Sequence, residues 1–339
     1  MKNSKKMAMA AALCVAAVIF ASAIGSVSLS LPDYINIIGN QLLGLPLKET
    51  VTENSVSILW RIRLPRVLMC FLVGAALATS GAVMQSVLRN PLASSFTLGV
   101  SSGASLGAAF VILLNFTLPF ASIYTLPLFG FIFGLGTVFL AIGMAARFDR
   151  NMENNTIVLV GMVLSLFVNA ILTLMIGLAP ERMKELTFWQ MGSFSAIHWD
   201  NVQAIFPVVL LGILVLMRYT REMDLMTFGE EEALSAGVEL KKMKFLMIGA
   251  SALLTGAAVA FAGTIGFIDL IAPHVVRRIF GPRHKLVLPA SAMFGGIFMV
   301  LADLLSRTLL APREIPVGAV TALIGAPFFA YVYFNRKPR

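Results

Sequence analysis

Apolar residues fill long, uninterrupted runs along this chain, and short polar segments separate them. Stretches without Asp, Glu, Lys or Arg cover residues 7–32, 67–88, 90–146, 154–180, 201–217, 245–268, 286–302 and 315–335. About 20 mostly apolar residues in a helix cross a bilayer core. The third stretch is long enough for two helices and is interrupted at residues 115–119, so the pattern predicts nine spans.

A tenth, weaker span is predicted over residues 267–280, where Asp269, Pro273 and His274 would make the helix short or broken. Eighteen Lys and Arg residues then fall on the side of the N-terminus and eight on the other side. Cytoplasmic segments are the ones enriched in these residues. We therefore predict an all-α, polytopic membrane protein of about ten transmembrane helices. Residues 1–339 form one transmembrane domain with both termini in the cytoplasm.

The composition supports this prediction and excludes other protein classes. Of the 339 residues, 58% are hydrophobic and 13% are charged, with a mean hydropathy of +0.87. Soluble domains are about a quarter charged, so a soluble enzyme, a disordered chain and a free-standing nucleic-acid binder are excluded. The net charge of +9 is explained mainly by the Lys and Arg residues that collect in the predicted cytoplasmic segments. The first apolar run is longer than the core of a signal peptide, so we predict a retained first helix.

The sequence lacks the motifs of common catalytic and metal sites. It contains no Gly-x-x-x-x-Gly-Lys-Ser/Thr, no His-Glu-x-x-His and no Gly-x-Ser-x-Gly. Cys14 and Cys70 lie in apolar runs, and the three histidines are widely spaced. We expect a chain that is not an enzyme and holds no metal or cofactor. If ATP drives it, another subunit hydrolyses the ATP.

Three arginines occur at 61, 63 and 66, in a segment predicted to lie outside the membrane just before the second span. Arginine is normally depleted on that side. Such a cluster could bind carboxylates of an external partner through bidentate pairs. The alternative is that it anchors the chain to lipid headgroups beside Trp60.

The inner segment between the sixth and seventh spans, residues 218–244, is long for a loop of this protein. Gly229 and Gly237 bracket a short stretch with acidic residues in its first turn, which favours a helix. A compact helical projection of this kind suits docking into a groove of a cytoplasmic partner. The alternative is a solvated connector.

Residues 262–285 combine glycine, proline and ionisable residues in a nominally membrane-embedded stretch, which predicts a broken helix. Acidic residues inside a membrane span, here Asp269 and Asp303, are candidate functional residues by default. For Asp303 we favour a structural ion pair with Arg307 at i+4. His274 is interpreted as a structural residue rather than a ligand. The repeat of Gly99, Gly103 and Gly107 is interpreted as a helix-packing face.

Several strings, taken in order, resemble one family: the membrane permeases of ABC importers for iron-siderophores, haem and vitamin B12. The resemblance covers roughly residues 60–330. The strings are RLPR (63–66), GAALATSGAVMQ (74–85), RNPLA (89–93), LGVSSGA (98–104), WQMGS (189–193), GEE (229–231), GTIGFI (263–268), PH (273–274), LP (288–289), AD (302–303), EIPVG (314–318) and TALIGAPF (321–328).

The resemblance implies a complex in a bacterial cytoplasmic membrane. It would contain two permease chains, two cytoplasmic ATPase subunits that hold ATP and Mg²⁺, and an external substrate-binding protein. It also implies roles for individual residues. Arg63, Arg66 and Arg307 would dock the binding protein, and Asn90 and Leu92 would form the cytoplasmic gate. The segment of about 225–242 would contact the ATPase through Gly229, Glu230, Glu231, Ala233, Gly237 and Val238.

Two positions depart from the family pattern. Ser94-Ser95 stands where an acidic residue and a proline often follow Asn-Pro-Leu-Ala, and Asp269 stands where glycine is usual. The carboxylate of Asp269 could pair with a nearby arginine or offer a polar point on the pathway.

The expected function is alternating-access import of an iron chelate, with a ferric siderophore as the first expectation and haem or cobalamin as the alternatives. A more remote alternative is a secondary transporter driven by an ion gradient through Asp269 and Asp303. An intramembrane hydrolase that uses His274 and Asp269 is more remote still, because no nucleophile is evident.

Overall fold

The computed structural model describes residues 2–25, 30–119, 121–149 and 151–334. Arg150, Arg336, Lys337 and Arg339, which contributed to the predicted topology, lie outside these residues. Within them the chain is built from helices and turns, without strands. The α-helices are α1 (Lys2–Ala23), α2 (Leu31–Leu43), α3 (Glu53–Ser57), α4 (Leu64–Val87), α5 (Val100–Leu113), α6 (Ser122–Phe148), α7 (Asn154–Leu178), α8 (Met183–Met191), α9 (Trp199–Arg218), α10 (Thr220–Phe228), α11 (Glu230–Ser235), α12 (Leu240–Ala262), α13 (Ile268–Phe280), α14 (His284–Thr308) and α15 (Val317–Phe334).

The predicted all-α membrane fold is confirmed. In the described ranges, seven helices are long and apolar enough to cross a membrane, and α5 and α15 are shorter apolar helices. With α13 they account for the predicted ten. The interruption predicted at 115–119 is present, because α5 ends at Leu113 and α6 begins at Ser122. The broken helix is also present: α12 ends at Ala262, and α13 starts after Phe267, whose φ is +71°.

Helix α4 lies at the centre of the fold and packs against α9, α12, α13 and α14. In its most apolar window 83% of the residues are buried, compared with 17% in α1. Its contact with α14 depends on two facing glycines. A Cβ on Gly74 would lie 2.2 Å from the carbonyl oxygen of Gly295, so the two backbones approach too closely for any side chain.

The glycine repeat of α5 has the packing role that its spacing predicts. A Cβ added to Gly103 would lie 2.5 Å from the carbonyl oxygen of Phe133, and one added to Gly107 would lie 2.3 Å from that of Phe129. Both carbonyls belong to α6, so this face of α5 is a helix–helix contact.

The charged side chains that join helices lie at two ends of the bundle. At one end, the C-terminal turn of α1 meets Arg63 before α4 and the end of α14, and the start of α4 meets the segment before α15. At the other end, Lys6 of α1 donates to the carbonyl of Ile279, 2.7 Å away, and α10 meets α14. The first end corresponds to the predicted outer side and the second to the predicted inner side. Helices α2 and α3, which the pattern did not predict, lie between α1 and α4 along the chain.

Candidate functional site

The arginine-rich segment at the outer end is helical. A six-residue π-helix, Ile58–Arg63, joins α3 to α4, so that one continuous helix runs from Glu53 to Val87. Beside it, the indole N–H of Trp199 donates to the carbonyl of Trp60 at 2.7 Å. The helix therefore fixes the arginine side chains on a rigid frame.

Arg66 forms the centre of a buried charge cluster. Its Nη2 lies 2.9 Å from Oδ1 of Asp303, and its Nη1 lies 2.8 Å from Oε1 of Glu314. Arg307 adds a second positive charge, with Nε 3.5 Å from Oδ2 of Asp303. The ion pair predicted between Asp303 and Arg307 is present. Arg66 pairs with both Asp303 and Glu314, which lie far from it along the chain. The spacing of residues in the sequence did not reveal these two pairs.

Arg63 and Arg307 also hold the end of α1. Arg63 donates to the carbonyl of Ala23 at 3.0 Å, and Arg307 donates to that of Ile24 at 2.9 Å. Carbonyls at a helix C-terminus lack intrahelical donors and carry partial negative charge. The two guanidinium groups supply donors and positive charge to that terminus.

Arg63 and Arg66 are buried, and Arg307 is only partly exposed. Their side chains are engaged inside the protein. Their docking role stays a prediction. Arg61 and Arg313 are the exposed arginines of this region.

Glu314 is the accessible member of the cluster. Its side chain is 41% exposed, compared with 1% for Asp303. The hydrogen bond from Arg66 holds the pKa of Glu314 below its ordinary value of 4.5. This carboxylate is therefore ionised at neutral pH and can exchange its partner more readily than Asp303 can.

The inner segment forms the compact helical projection that the sequence predicts. It consists of α10 and α11, which begins directly after Gly229 and ends before Gly237, a residue with φ of +84°. Ala233 and Val238 pack into the protein core, whereas Phe228 and Leu234 are exposed. The projection thus has a packed side and an apolar open side.

The acidic residues of this projection divide between the two sides. Glu231 is exposed. Glu230 turns inward, with Oε1 2.7 Å from Nζ of Lys244, whose side chain is fully buried. Lys244 also donates to the carbonyl of Met152 at 2.7 Å. Lys244 was missed in the sequence, where it was one of several inner basic residues; its place near the start of an apolar span was the available signal.

Two clefts open beside the projection. One, with a volume of about 1160 Å³, is lined by residues that include Met152, Glu231 and Phe245. The other, of about 610 Å³, lies between Arg89 and the start of α11. Both are open grooves into which a second protein can extend.

The predicted gate residues occupy the turn that follows α4. Asn90 and Leu92 are exposed, and the Asn90 side chain accepts the backbone N–H of Leu92 at 2.9 Å. The next few residues contain Ser94, which begins a 3₁₀ turn, Ser95–Leu98. Gate and projection therefore lie at the same end of the bundle.

The two departures from the family pattern contact each other. Asp269 is buried in the first turn of α13, and its Oδ2 accepts a hydrogen bond from the hydroxyl of Ser94. Among the ion pairs of the described residues, Asp269 forms none. His274 lies half-buried in the same helix. No group of three His, Cys, Asp or Glu residues suited to a metal occurs in the described part of the chain.

Comparisons with known proteins match this architecture. Residues 13–335 match the FecCD transport family. The chain is 41% identical over 280 residues to an uncharacterised ABC transporter permease, YvrB, of Bacillus subtilis, which covers 83% of this chain and 79% of the relative. It is 39% identical over 294 residues to the cobalamin import permease BtuC of Halobacterium salinarum, covering 87% and 78%.

A solved structure resembles nearly the whole chain. It is described as an inward-facing conformation of a metal-chelate type ABC transporter. It covers 98% of this chain and 99% of its own, with a TM-score of 0.85 and 31% identity.

Proposed function

The chain belongs to the FecCD transport family, and from this premise we propose that it forms the translocation pathway of an importer energised by a separate ATPase. It is a multi-pass ABC importer permease of the cytoplasmic membrane. Two permease chains would enclose the pathway, two ATPase subunits would bind ATP and Mg²⁺ below it, and an external binding protein would deliver the substrate.

The projection formed by α10 and α11 carries this proposal. Its inner side is fixed by burial of Ala233 and by the Glu230–Lys244 pair, while Phe228 and Leu234 remain exposed beside two clefts. A rigid helical element with an exposed apolar face suits a protein partner. ATP-driven closure of that partner would push on the projection and switch the pathway between outward and inward access.

We propose a bulky metal chelate, of the ferric siderophore class, as the substrate. The likeness to a metal-chelate type transporter over nearly the full chain supports this class. Cobalamin is the second candidate, since a relative that is 39% identical is a cobalamin permease. Uptake of labelled ferric siderophore, haemin and cyanocobalamin by the reconstituted complex distinguishes them.

The outer charge cluster is the proposed docking site of the binding protein. A carboxylate from outside would reach Arg66 by replacing Glu314, because Asp303 is closed to solvent. Glu314→Ala removes the internal competitor, so we expect the affinity of the binding protein to rise several-fold. Glu49→Ala, which removes an exposed carboxylate outside the cluster, is the matched control. Unchanged or weaker binding by Glu314→Ala would contradict this docking role.

Affinity purification tests the proposed function as a whole. The tagged chain is extracted from its native membrane in mild detergent, and the proteins that accompany it are identified by mass spectrometry. We expect an ATPase with a phosphate-binding loop at matching stoichiometry. If the chain is recovered alone and moves substrate in sealed vesicles without ATP, the gradient-driven alternative replaces the proposal.

A further inference from the structure

A line of buried hydrogen bonds starts at the cytoplasmic projection. Asp224, on α10, places Oδ1 2.6 Å from Nδ1 of His284 at the start of α14 and also accepts the backbone N–H of His284 at 2.9 Å. The other ring nitrogen of His284, Nε2, lies 2.6 Å from the hydroxyl of Ser86 on α4. Two contacts therefore connect the projection to the central helix.

The line continues from α4 to α13. Arg277, on α13, donates to the hydroxyl of Ser86 at 3.0 Å and to Oε1 of Gln85 at 2.5 Å. The amide of Gln85 in turn lies 3.3 Å from the carbonyl oxygen of Asp269, to which it donates. Arg277 and Asp269 are at opposite ends of α13, so Gln85 bridges along this helix.

The last contact reaches the segment of the predicted gate. The carboxylate of Asp269 accepts the hydroxyl of Ser94, which lies two residues beyond Leu92. At Gly81 the carbonyl of Asp269 approaches so closely that a Cβ would lie 1.9 Å from its oxygen. This leaves no room for α13 to shift toward α4. The residues Asp224, His284, Ser86, Arg277, Gln85, Asp269 and Ser94 are named the inner relay below.

The interior of the relay is closed to water. His284, Ser86, Gln85 and Asp269 are each at most 5% exposed. A buried polar group that loses its partner costs about 1–3 kcal/mol, since water cannot replace the partner. Displacement of α10 therefore either moves the connected groups with it or breaks these bonds at that cost.

We infer that the inner relay transmits the position of helix α10, in the cytoplasmic projection, to the gate segment at residues 90–94, and that Ser86 and Arg277 are its positioning residues. This inference rests on the proposed function. The contact between Ser94 and Asp269 supports it, because it joins the gate segment to α13 inside the protein, where both side chains are buried.

The test compares two buried serines. Ser86→Ala removes the hydroxyl that contacts His284 and Arg277. Ser291→Ala, on α14, is the matched control, because the Ser291 hydroxyl is equally buried but has no hydrogen-bond partner in the described structure. Each variant is purified with its ATPase and binding protein, reconstituted in liposomes, and assayed for uptake of labelled cyanocobalamin and ferric citrate together with ATP hydrolysis.

We expect Ser86→Ala to hydrolyse ATP at the wild-type rate but to import at least about fivefold less substrate per ATP, which corresponds to a coupling free energy of about 1 kcal/mol or more. Ser291→Ala should retain the wild-type ratio. Asp224→Ala, at the partly exposed end of the relay, removes the oxygen that His284 contacts and should behave as Ser86→Ala does. The double variant should be no worse than either single variant, because both interrupt one line.

Hydrogen exchange of residues 268–280 supplies a readout that simple destabilisation would not reproduce. In the wild-type complex, exchange should differ between the nucleotide-free and the vanadate-trapped states, and in Ser86→Ala this difference should disappear. An unchanged ratio of substrate to ATP together with an unchanged exchange difference would overturn the relay. If even the wild-type complex contains no ATPase, the proposed function itself fails. Should Ser86→Ala not assemble, Asp224→Ala decides the same comparison.

Discussion

The two partners of the ion pair between Glu230 and Lys244 differ in burial, so replacing one should have a different effect on stability from replacing the other. The ammonium group of Lys244 is fully buried, whereas the Glu230 side chain is 30% exposed. Removing the lysine leaves a carboxylate that water can reach. Removing the glutamate leaves a buried charge whose remaining hydrogen-bond partner, among the described residues, is the carbonyl of Met152. Glu230→Ala should therefore destabilise the projection more than Lys244→Met does.

The magnitudes follow from the burial of each partner. Breaking a buried ion pair by removing one partner costs about 3–5 kcal/mol, and the partial exposure of Glu230 places Glu230→Ala near 3 kcal/mol. Lys244→Met loses charge-assisted hydrogen bonds worth about 1.5 kcal/mol. At about 1.4 kcal/mol per factor of ten, these values correspond to local opening that is ~140-fold and ~12-fold more frequent.

Amide hydrogen exchange measures this local opening directly. The probes are the N–H groups of Ala233, Ala236, Gly237 and Val238, whose hydrogen bonds close α11 and the turn after it. The purified permease chain is used, so that loss of an ATPase contact does not contribute. Glu231→Ala, which removes an exposed neighbouring carboxylate, is the control and should exchange within about threefold of the wild type, since exposed ion pairs contribute little.

The double variant Glu230→Ala/Lys244→Met completes the cycle. Because it removes the buried charge together with its partner, its exchange should return to that of Lys244→Met alone. Equal effects of the two single variants, or an additive double variant, would refute the proposed burial cost. Either result would mean that Glu230 acts mainly at the surface.

Two further predictions concern the bundle and its outer end. Gly74→Ala should lower the free energy of unfolding by about 1–3 kcal/mol, because its methyl group would meet the Gly295 carbonyl. The temperature of aggregation in detergent should fall accordingly. Gly136→Ala, where nothing lies within 4 Å, should leave this temperature unchanged. Glu314 contributes to stability while it is ionised, and its pKa is lowered by Arg66. That contribution, at most about 1 kcal/mol for a partly exposed pair, should be fully present above pH 4.5 and lost as the pH falls through the lowered pKa. The difference in thermal stability between the wild type and Glu314→Gln should shrink accordingly, and a difference that is constant with pH would contradict it.

Much of the fold could be predicted because its causes are local in sequence. Runs without charge determine where a helix can cross lipid, and the prolines, glycines and ionisable residues of 262–285 predicted the break before α13. The glycine repeat of α5 predicted a close helix contact for the same reason. Helices α2 and α3 were missed because they lie outside the long apolar runs.

The candidate site was less accessible to such reasoning. Position relative to the spans placed Arg63, Arg66 and Arg307 at the outer end, but it did not show that Arg66 would bind Asp303 and Glu314 inside the protein. Glu230 was correctly placed on a cytoplasmic projection, yet its inward orientation depends on Lys244, which follows α11 on another helix.

The sequence by itself determined the class of protein, the approximate number of spans and the segments that carry polar chemistry, because lipid solvation acts on each stretch of chain separately. The tertiary structure alone decided which charges are paired and which remain exposed. Partners such as Arg66 and Asp303, or Ser94 and Asp269, lie far apart along the chain and meet only when α4, α13 and α14 pack. The burial that makes those contacts strong is a property of the assembled bundle.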